Sequence, residues 1–350
     1  MAELTAAMVK EYALSTGLDL VGIANIERFE GAPERMHPAE IFPECRSVIV
    51  TGRRIPRGTY RGIEEGTHWS NYTFYAYNRL NTWFRPKGTY ETACYIEDFG
   101  WEAVPCYPGV PEAQAQREPL RPGAVAPDVQ MAIRIAGCAA GLGEMGWSKV
   151  FLTKKFGPRQ RLGMILTDAE LEPDPLIPED QRVCDRCMSC VPDCPGHCIP
   201  HIRENDTISI EIEGVKFEWA NVDMGKCTFT HHGLNKEASP FLSKDAPGLR
   251  LNVAEQKMSE EEAYKFAYTI AGANWRPTEE FPTGRVVDYY KTMLETTGYF
   301  AVCGARGCIR ACMMHLEKTG RIEQQFENEF RRRPMWEISW QGEAKDVEED

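Results

Sequence analysis

The run CDRCMSCVPDCP constrains this chain more than any other stretch. It places Cys184, Cys187, Cys190 and Cys194 at C-x2-C-x2-C-x3-C, with Pro195 behind the last. That is the spacing of a bacterial ferredoxin. Three close thiolates wrap one cubane, and the fourth points away to a neighbouring cluster. Structural zinc is the rival, but zinc sites pair two C-x2-C hooks across a longer loop. The chain has 13 cysteines. In a reducing compartment, clustered cysteines bind metal more often than they form disulfides.

A second cluster needs a second run, and CGARGCIRAC supplies Cys303, Cys308 and Cys312. Its C-x4-C-x3-C spacing departs from the usual pattern, and Met313 stands where a proline is expected. By the exchange of fourth ligands, one [4Fe-4S] set is Cys184, Cys187, Cys190 and Cys312. The other is Cys194, Cys303, Cys308 and one more. Cys227 in DMGKCTF is preferred for the missing ligand, with Cys198 in PGHC as its rival. The scattered Cys45, Cys94, Cys106 and Cys138 read as inert thiols.

Upstream of the cysteines lies a mixed pattern. Residues 3–16 have helical spacing, with Gly17 behind them. DLVGIA (19–24), SVIVTG (47–52) and WEAVPC (101–106) read as strands. Residues 71–97 read as mostly helical, interrupted by RPKG at 85–88. Residues 128–140 form a small-residue helix with Asp128 near its start. VFLT (150–153) and RLGMILTD (161–168) are predicted to pair as a hairpin across FGPRQ. The segment LEPDPLIPED (171–180) is the expected linker. The fold class is therefore α+β, without the βαβ alternation of a doubly wound sheet. The expected domains are 1–170, 171–320 with a long insertion at 228–300, and 321–350 with an acidic tail.

Between the helix and the hairpin sits GLGEMG, with Gly141, Gly143 and Gly146 spaced as in a dinucleotide loop. That fingerprint requires a strand before it and a helix after it. Here the order is reversed. A helix cap with a tight turn, or a close approach of backbone to a large flat cofactor, are the other readings.

The net charge of −12 argues against DNA or anionic lipid as a partner. No stretch is long and apolar enough to span a membrane. No secretion or twin-arginine signal is read, so a cytoplasmic protein is expected.

The segment AGLGEMGWSKVFLTKKFGPRQRLGMILTD resembles the A-G-L-G-E-x-G…L-T-x-x-[FY]-G-P-x-x-R…T-D/N segment of the cobalamin-dependent reductive dehalogenases. Epoxyqueuosine reductases share a weaker version. The likeness covers roughly residues 90–200. It implies a nitroreductase-like, corrinoid-binding domain followed by a two-cluster ferredoxin-like module. It implies cobalamin and two [4Fe-4S] clusters, a small-molecule substrate, and an external low-potential donor such as ferredoxin or flavodoxin. It also implies a corrinoid contact set of Gly141, Leu142, Gly143, Glu144, Gly146, Phe156 and Gly157. No D-x-H-x-x-G occurs, so a base-off corrinoid is expected.

In the same family a basic residue supports a proton-donating tyrosine. Its position falls on Arg161, with Tyr72, Tyr75 and Tyr77 as candidates for the tyrosine. A substrate-pocket position falls on Asp128, where the family carries Asn. The proton-donating Asp of the tRNA-modifying enzymes falls on Ile135, which favours the dehalogenase version. The alternatives are an epoxyqueuosine-type or other C–O bond reductase, and a non-catalytic electron-transfer or corrinoid-activating protein.

Overall fold

The computed structural model describes residues 3–68, 70–107, 117–232, 234–235, 255–272 and 303–334. Most of the 228–300 insertion and the acidic tail lie outside the described residues.

The chain starts with α1 (Ala6–Ser15), whose Thr5 Oγ1 accepts from the Met8 amide at 3.3 Å, a serine/threonine-type N-cap. It ends as expected: Gly17 takes φ +91°, and its N–H reaches back to the Leu14 carbonyl. Four strands follow as β1 (Leu20–Asn25), β2 (Ser47–Arg54), β3 (Ala103–Cys106) and, later, β6 (Gln160–Thr167). They form one antiparallel sheet in the order β1-β2-β6-β3. Alternation along the strands decides the layers. Ile23, Ile49 and Ile165 face α1 and α2 (Arg85–Glu97) through Val9, Ala93 and Ile96. Val48, Val50, Met164 and Leu166 face α3 (Ile133–Ala139) through Ala136 and Ala139. Residues 47–52 of β2 are buried throughout, as a central strand covered on both faces must be.

Several sequence expectations are corrected. RPKG does not interrupt a helix; it begins α2, with Pro86 in the first turn, where proline's missing N–H costs nothing. Before it, residues Phe74–Asn78 and Leu80–Phe84 are wide π-type turns. The helix predicted over 128–140 shortens to Ile133–Ala139, so Asp128 lies five residues ahead of it. VFLT and RLGMILTD do not form a hairpin. Phe151–Leu152 (β5) pairs instead with Glu144–Met145 (β4), while β6 pairs with β2 and β3. The physical reason is a tight turn. Thr153 and Gly157 bridge to each other, with Gly157 at φ +59°, and this redirects the chain before β6 starts.

The segment expected to be a linker is docked on the sheet edge. Asp174 accepts from the Ile23 amide at 2.9 Å and from Lys10 at 2.5 Å, and its own amide donates to the Ile23 carbonyl. Beyond the first cysteine run, β7 (Thr207–Ile212) and β8 (Val215–Ala220) form a hairpin turned by Glu213 and Gly214, both at positive φ. Its Ile212, Phe217 and Trp219 join the core on the α3 side. Then come α4 (Met224–His231), α5 (Glu260–Gly272) and α6 (Cys308–Lys318).

A tyrosine–arginine group beside two groups of thiols

The eight cysteines expected to be ligands come together as two sets of four, although no two segments that carry them adjoin in sequence. Burial raises the Cys312 thiol pKa well above its ordinary value, and the nearby Cys184, Cys190 and Cys187 raise it further. Burial likewise raises the Cys303 thiol, with Cys227, Cys308 and Cys194 as its neighbours. Cys308 senses Cys194 and Cys227. The fifth thiol, Cys198, also lies here and donates to Cys194, holding the latter down to about 6. It touches Cys227 too. None of the cysteines is in a disulfide. The first set opens toward solvent through the exposed Cys187, whereas Cys194 of the second is buried. Four converging thiols in a partly dry site have the donor number and softness that iron–sulfur ligation requires, so these residues fit that group.

The second set borders an aromatic cluster. Cys308 packs against the core that contains Tyr60, Tyr72, Tyr77 and Phe229. Tyr72 and Tyr77 meet edge to face at 5.4 Å, and Tyr60 and Tyr72 at 5.0 Å. The Tyr72 hydroxyl presses on Gly304, so closely that a side chain at 304 has no room.

Arg161 closes this group. Its Nε donates to the Ala76 carbonyl at 2.9 Å, and its guanidinium carbon lies 3.8 Å from the Tyr77 ring centroid. Burial opposes the guanidinium charge, but the Tyr77 and Tyr72 hydroxyls outweigh it and raise the Arg161 pKa. Burial raises the pKa of Tyr60 and Tyr72. It lowers that of His231, which is therefore a neutral imidazole at pH 7. Tyr60 Oη and Arg161 Nη2 find no hydrogen-bond partner among the described residues. Buried polar atoms are rarely left so, and the pair suits a polar ligand.

Not every expected residue joins. Tyr75 is 44% exposed and leans on Phe74. Asp128 lines a separate cavity of about 930 Å³ with Val104, Cys106, Met131 and Met164. Met164 belongs to the α3 face of the sheet, and Arg161, an odd number of residues away, points to the other. Strand alternation therefore separates Asp128 from Arg161.

Among the described residues, the glycines named for a corrinoid face neighbouring protein. A side chain on Gly141 would meet the Pro175 carbonyl, and one on Gly143 the Leu152 carbonyl, each closer than 3.0 Å. Gly146 abuts the Leu152 side chain and Gly157 abuts Leu316. Leu142 packs under Gly22. Phe156 is buried beneath Lys155 and Arg54. Glu144, 4% exposed, accepts the amides of Val183 and Cys184, the latter at 2.9 Å. Burial raises its pKa against those two hydrogen bonds. These glycines admit chain, and Glu144 holds the entrance of the first cysteine run. On this geometry protein atoms fill the space beside the Gly141, Gly143 and Gly146 α-carbons.

Sequence reasoning missed Tyr60, Glu144's actual partner and His231. One signal was available for His231: it follows Cys227 by four residues, and i, i+4 positions share a helix face.

Fold and site together define a protein of mixed helix and antiparallel sheet in which a buried tyrosine–arginine group adjoins thiol sets suited to iron–sulfur clusters. Over part of its length the chain is similar to the reductive dehalogenases. It is 30% identical over 123 residues to the tetrachloroethene reductive dehalogenases of Dehalobacter restrictus and Desulfitobacterium hafniense. That segment is 35% of this chain and 19% of each relative, so the chain spans about a fifth of the curated relatives it matches. Among solved structures, a catabolic reductive dehalogenase matches 98% of this chain and 41% of its own, at 16% identity and TM-score 0.45. Epoxyqueuosine reductase from Bacillus subtilis matches 90% and 82%, at 14% identity and TM-score 0.41. No family model matches the chain. Among the described residues no helix is long and apolar enough to cross a membrane.

Proposed function

We propose that this chain is an iron–sulfur reductase of the reductive dehalogenase type, acting on a small organic substrate. The observation that carries the reading is Arg161 stacked on Tyr77, in the same buried cluster that Cys308 packs against.

Cys184, Cys187, Cys190 and Cys312 would hold one [4Fe-4S] cluster, and Cys194, Cys227, Cys303 and Cys308 the other. Clusters bound there supply single electrons at low potential. The remaining work falls to side chains. Tyr77 donates a proton from its hydroxyl to the substrate. Arg161 keeps its charge against the tyrosine face and stabilises the phenolate left behind. An unperturbed phenol has a pKa of about 10, and a fixed guanidinium lets one residue give up a proton and persist as an anion. Tyr60, Tyr72 and Phe229 exclude water, which strengthens that interaction.

The resemblance to dehalogenases further implies a corrinoid, whose cobalt would carry the bond-breaking chemistry. Tyr60 Oη and Arg161 Nη2, without a hydrogen-bond partner among the described residues, favour the tyrosine–arginine group over the glycine loop for polar contacts to ligand. The external donor is a low-potential carrier such as ferredoxin or flavodoxin. We divide the chain near residue 170 into a sheet domain and a thiol domain. A carrier or activating protein needs no buried tyrosine–arginine pair, and an epoxyqueuosine-type reductase has its acid where this chain has Ile135.

Anaerobically purified protein made with cobalamin supplied tests the reading. It is expected to hold about eight irons per chain and stoichiometric cobalt, and to consume a halogenated substrate with a chemical reductant as donor. About four irons would remove the two-cluster assignment. Full iron without cobalt or turnover would favour the carrier.

A further inference from the structure

We propose that His231 is a positioning residue for the second thiol set, donating a hydrogen bond from its ring nitrogen Nδ1 to Cys303 Sγ. It would thereby set how readily the cluster held there accepts an electron. This rests on the iron–sulfur reading above.

The two atoms lie 3.6 Å apart, within range for a bond to sulfur. They are far apart in sequence, since Cys303 belongs to the second run and His231 ends α4. Cys227 lies one turn earlier on the same helix. One face of α4 therefore presents both a thiol of the set and a ring turned toward another of its thiols. The neighbouring His232 is engaged elsewhere. Its Nδ1 lies 2.8 Å from the Thr228 carbonyl, and its ring packs on Tyr264 of α5. Of the two adjacent histidines, His231 is the one with a ring nitrogen within reach of Cys303 Sγ.

The direction of the hydrogen bond follows from chemistry. A thiolate bound to iron has lone pairs and no proton, so the imidazole in contact with it is the donor. Reduction adds negative charge to the cluster and its sulfurs. An N–H directed at one of those sulfurs stabilises the reduced state more than the oxidised one, and the reduction potential rises. The ring also meets Tyr77, at 5.1 Å between centroids and 54° between planes. His231 thus stands between the proposed proton donor and Cys303, and touches both with one side chain. Its neighbours explain why the ring keeps this pose: Tyr77 on one side and the His232 ring, 5.3 Å away and perpendicular, on the other.

The test is a redox titration of the holoenzyme followed by electron paramagnetic resonance, on wild type, His231→Leu and His231→Asn. Leucine fills the space without a donor, whereas the asparagine amide places an N–H near the position of Nδ1. Wild-type iron content is measured first. If it shows no clusters, the function proposed above fails, independently of His231. Given two clusters, His231→Leu is expected to keep its iron and shift one signal only. At the potential where that wild-type cluster is half reduced, its reduced-to-oxidised ratio should fall about tenfold, equivalent to about 59 mV for one electron. His231→Asn is expected to recover most of the shift. An unchanged potential in His231→Leu overturns the proposal. Iron loss in both variants also overturns it, because His231 would then be a ligand or a purely structural support. Iron loss in His231→Leu alone, with wild-type potential in His231→Asn, supports the donor role.

Discussion

The Arg161 guanidinium carbon sits 3.8 Å from the centre of the Tyr77 ring, although 83 residues of chain, including α2 and β3, separate the two. The contact arises because β6 carries Arg161 on the sheet face that α2 covers. The wide turns before α2 return the chain to that face at Ala76, whose carbonyl takes the Arg161 Nε proton. A desolvated cation–π pair of this kind is worth ~2 kcal/mol, enough to hold the ring in place.

From this pair follows the first expectation. Tyr77→Phe keeps the ring and its stacking but removes the proton, so turnover should fall by about 10²–10⁴-fold with KM little changed. Arg161→Lys should lose part of the same factor, because a point charge cannot stack as a planar guanidinium does. Tyr75→Phe, at an exposed position, should leave the rate near wild type. Steady-state kinetics on the three variants checks all of this. A collapse in Tyr72→Phe with a normal Tyr77→Phe would transfer the donor role to Tyr72.

The five thiols around the second set make a separate prediction. If Cys227 is the ligand and Cys198 only donates to Cys194, Cys227→Ser should lose about half of the bound iron. Cys198→Ser should keep it, since a hydroxyl can make the same hydrogen bond. Iron and sulfide assays on anaerobically prepared protein distinguish the two, and the reverse pattern would exchange their roles.

Glu144 links β4 to the first cysteine run. Replacing it with alanine leaves the Val183 and Cys184 amides without an acceptor, at about 1–3 kcal/mol for each buried donor. Glu144→Ala is therefore expected to lower the unfolding midpoint and to loosen the first cluster before the second. Denaturant unfolding monitored by fluorescence and by the visible iron–sulfur bands would register the order. Equal loss of both bands would argue against a local role.

A further prediction separates packing from ligand binding at the glycines. A Cβ at 143 meets the Leu152 carbonyl and the Phe151 ring, each closer than 3.0 Å, and the backbone oxygen cannot swing away. Gly143→Ala should cost about 1–3 kcal/mol through overpacking, visible as a lower Tm in protein without cofactor. An unchanged Tm with impaired corrinoid binding would restore the ligand reading of GLGEMG.

Much of this molecule is legible along the chain because local rules decide it. Short apolar, β-branched runs define β1 and β2, Thr5 and Gly17 bound α1, and regular spacing ties Cys184, Cys187 and Cys190 to one another. The reversed order of helix, glycines and strand already spoke against a dinucleotide loop. What the chain order leaves open is set by contacts distant in sequence. The partner of β5 is β4 rather than β6, because a bridged turn at Thr153 and Gly157 intervenes. Asp128 and Arg161 look equally eligible for one pocket, yet strand alternation assigns them to opposite faces. Glu144 reads as a cofactor contact until folding brings Val183 and Cys184 over it. Likewise, only tertiary packing turns His231 toward Cys303 and gathers Cys227 with residues of both cysteine runs. Spacing fixes which side chains share a face; which face meets which is decided by how the layers close over the buried core.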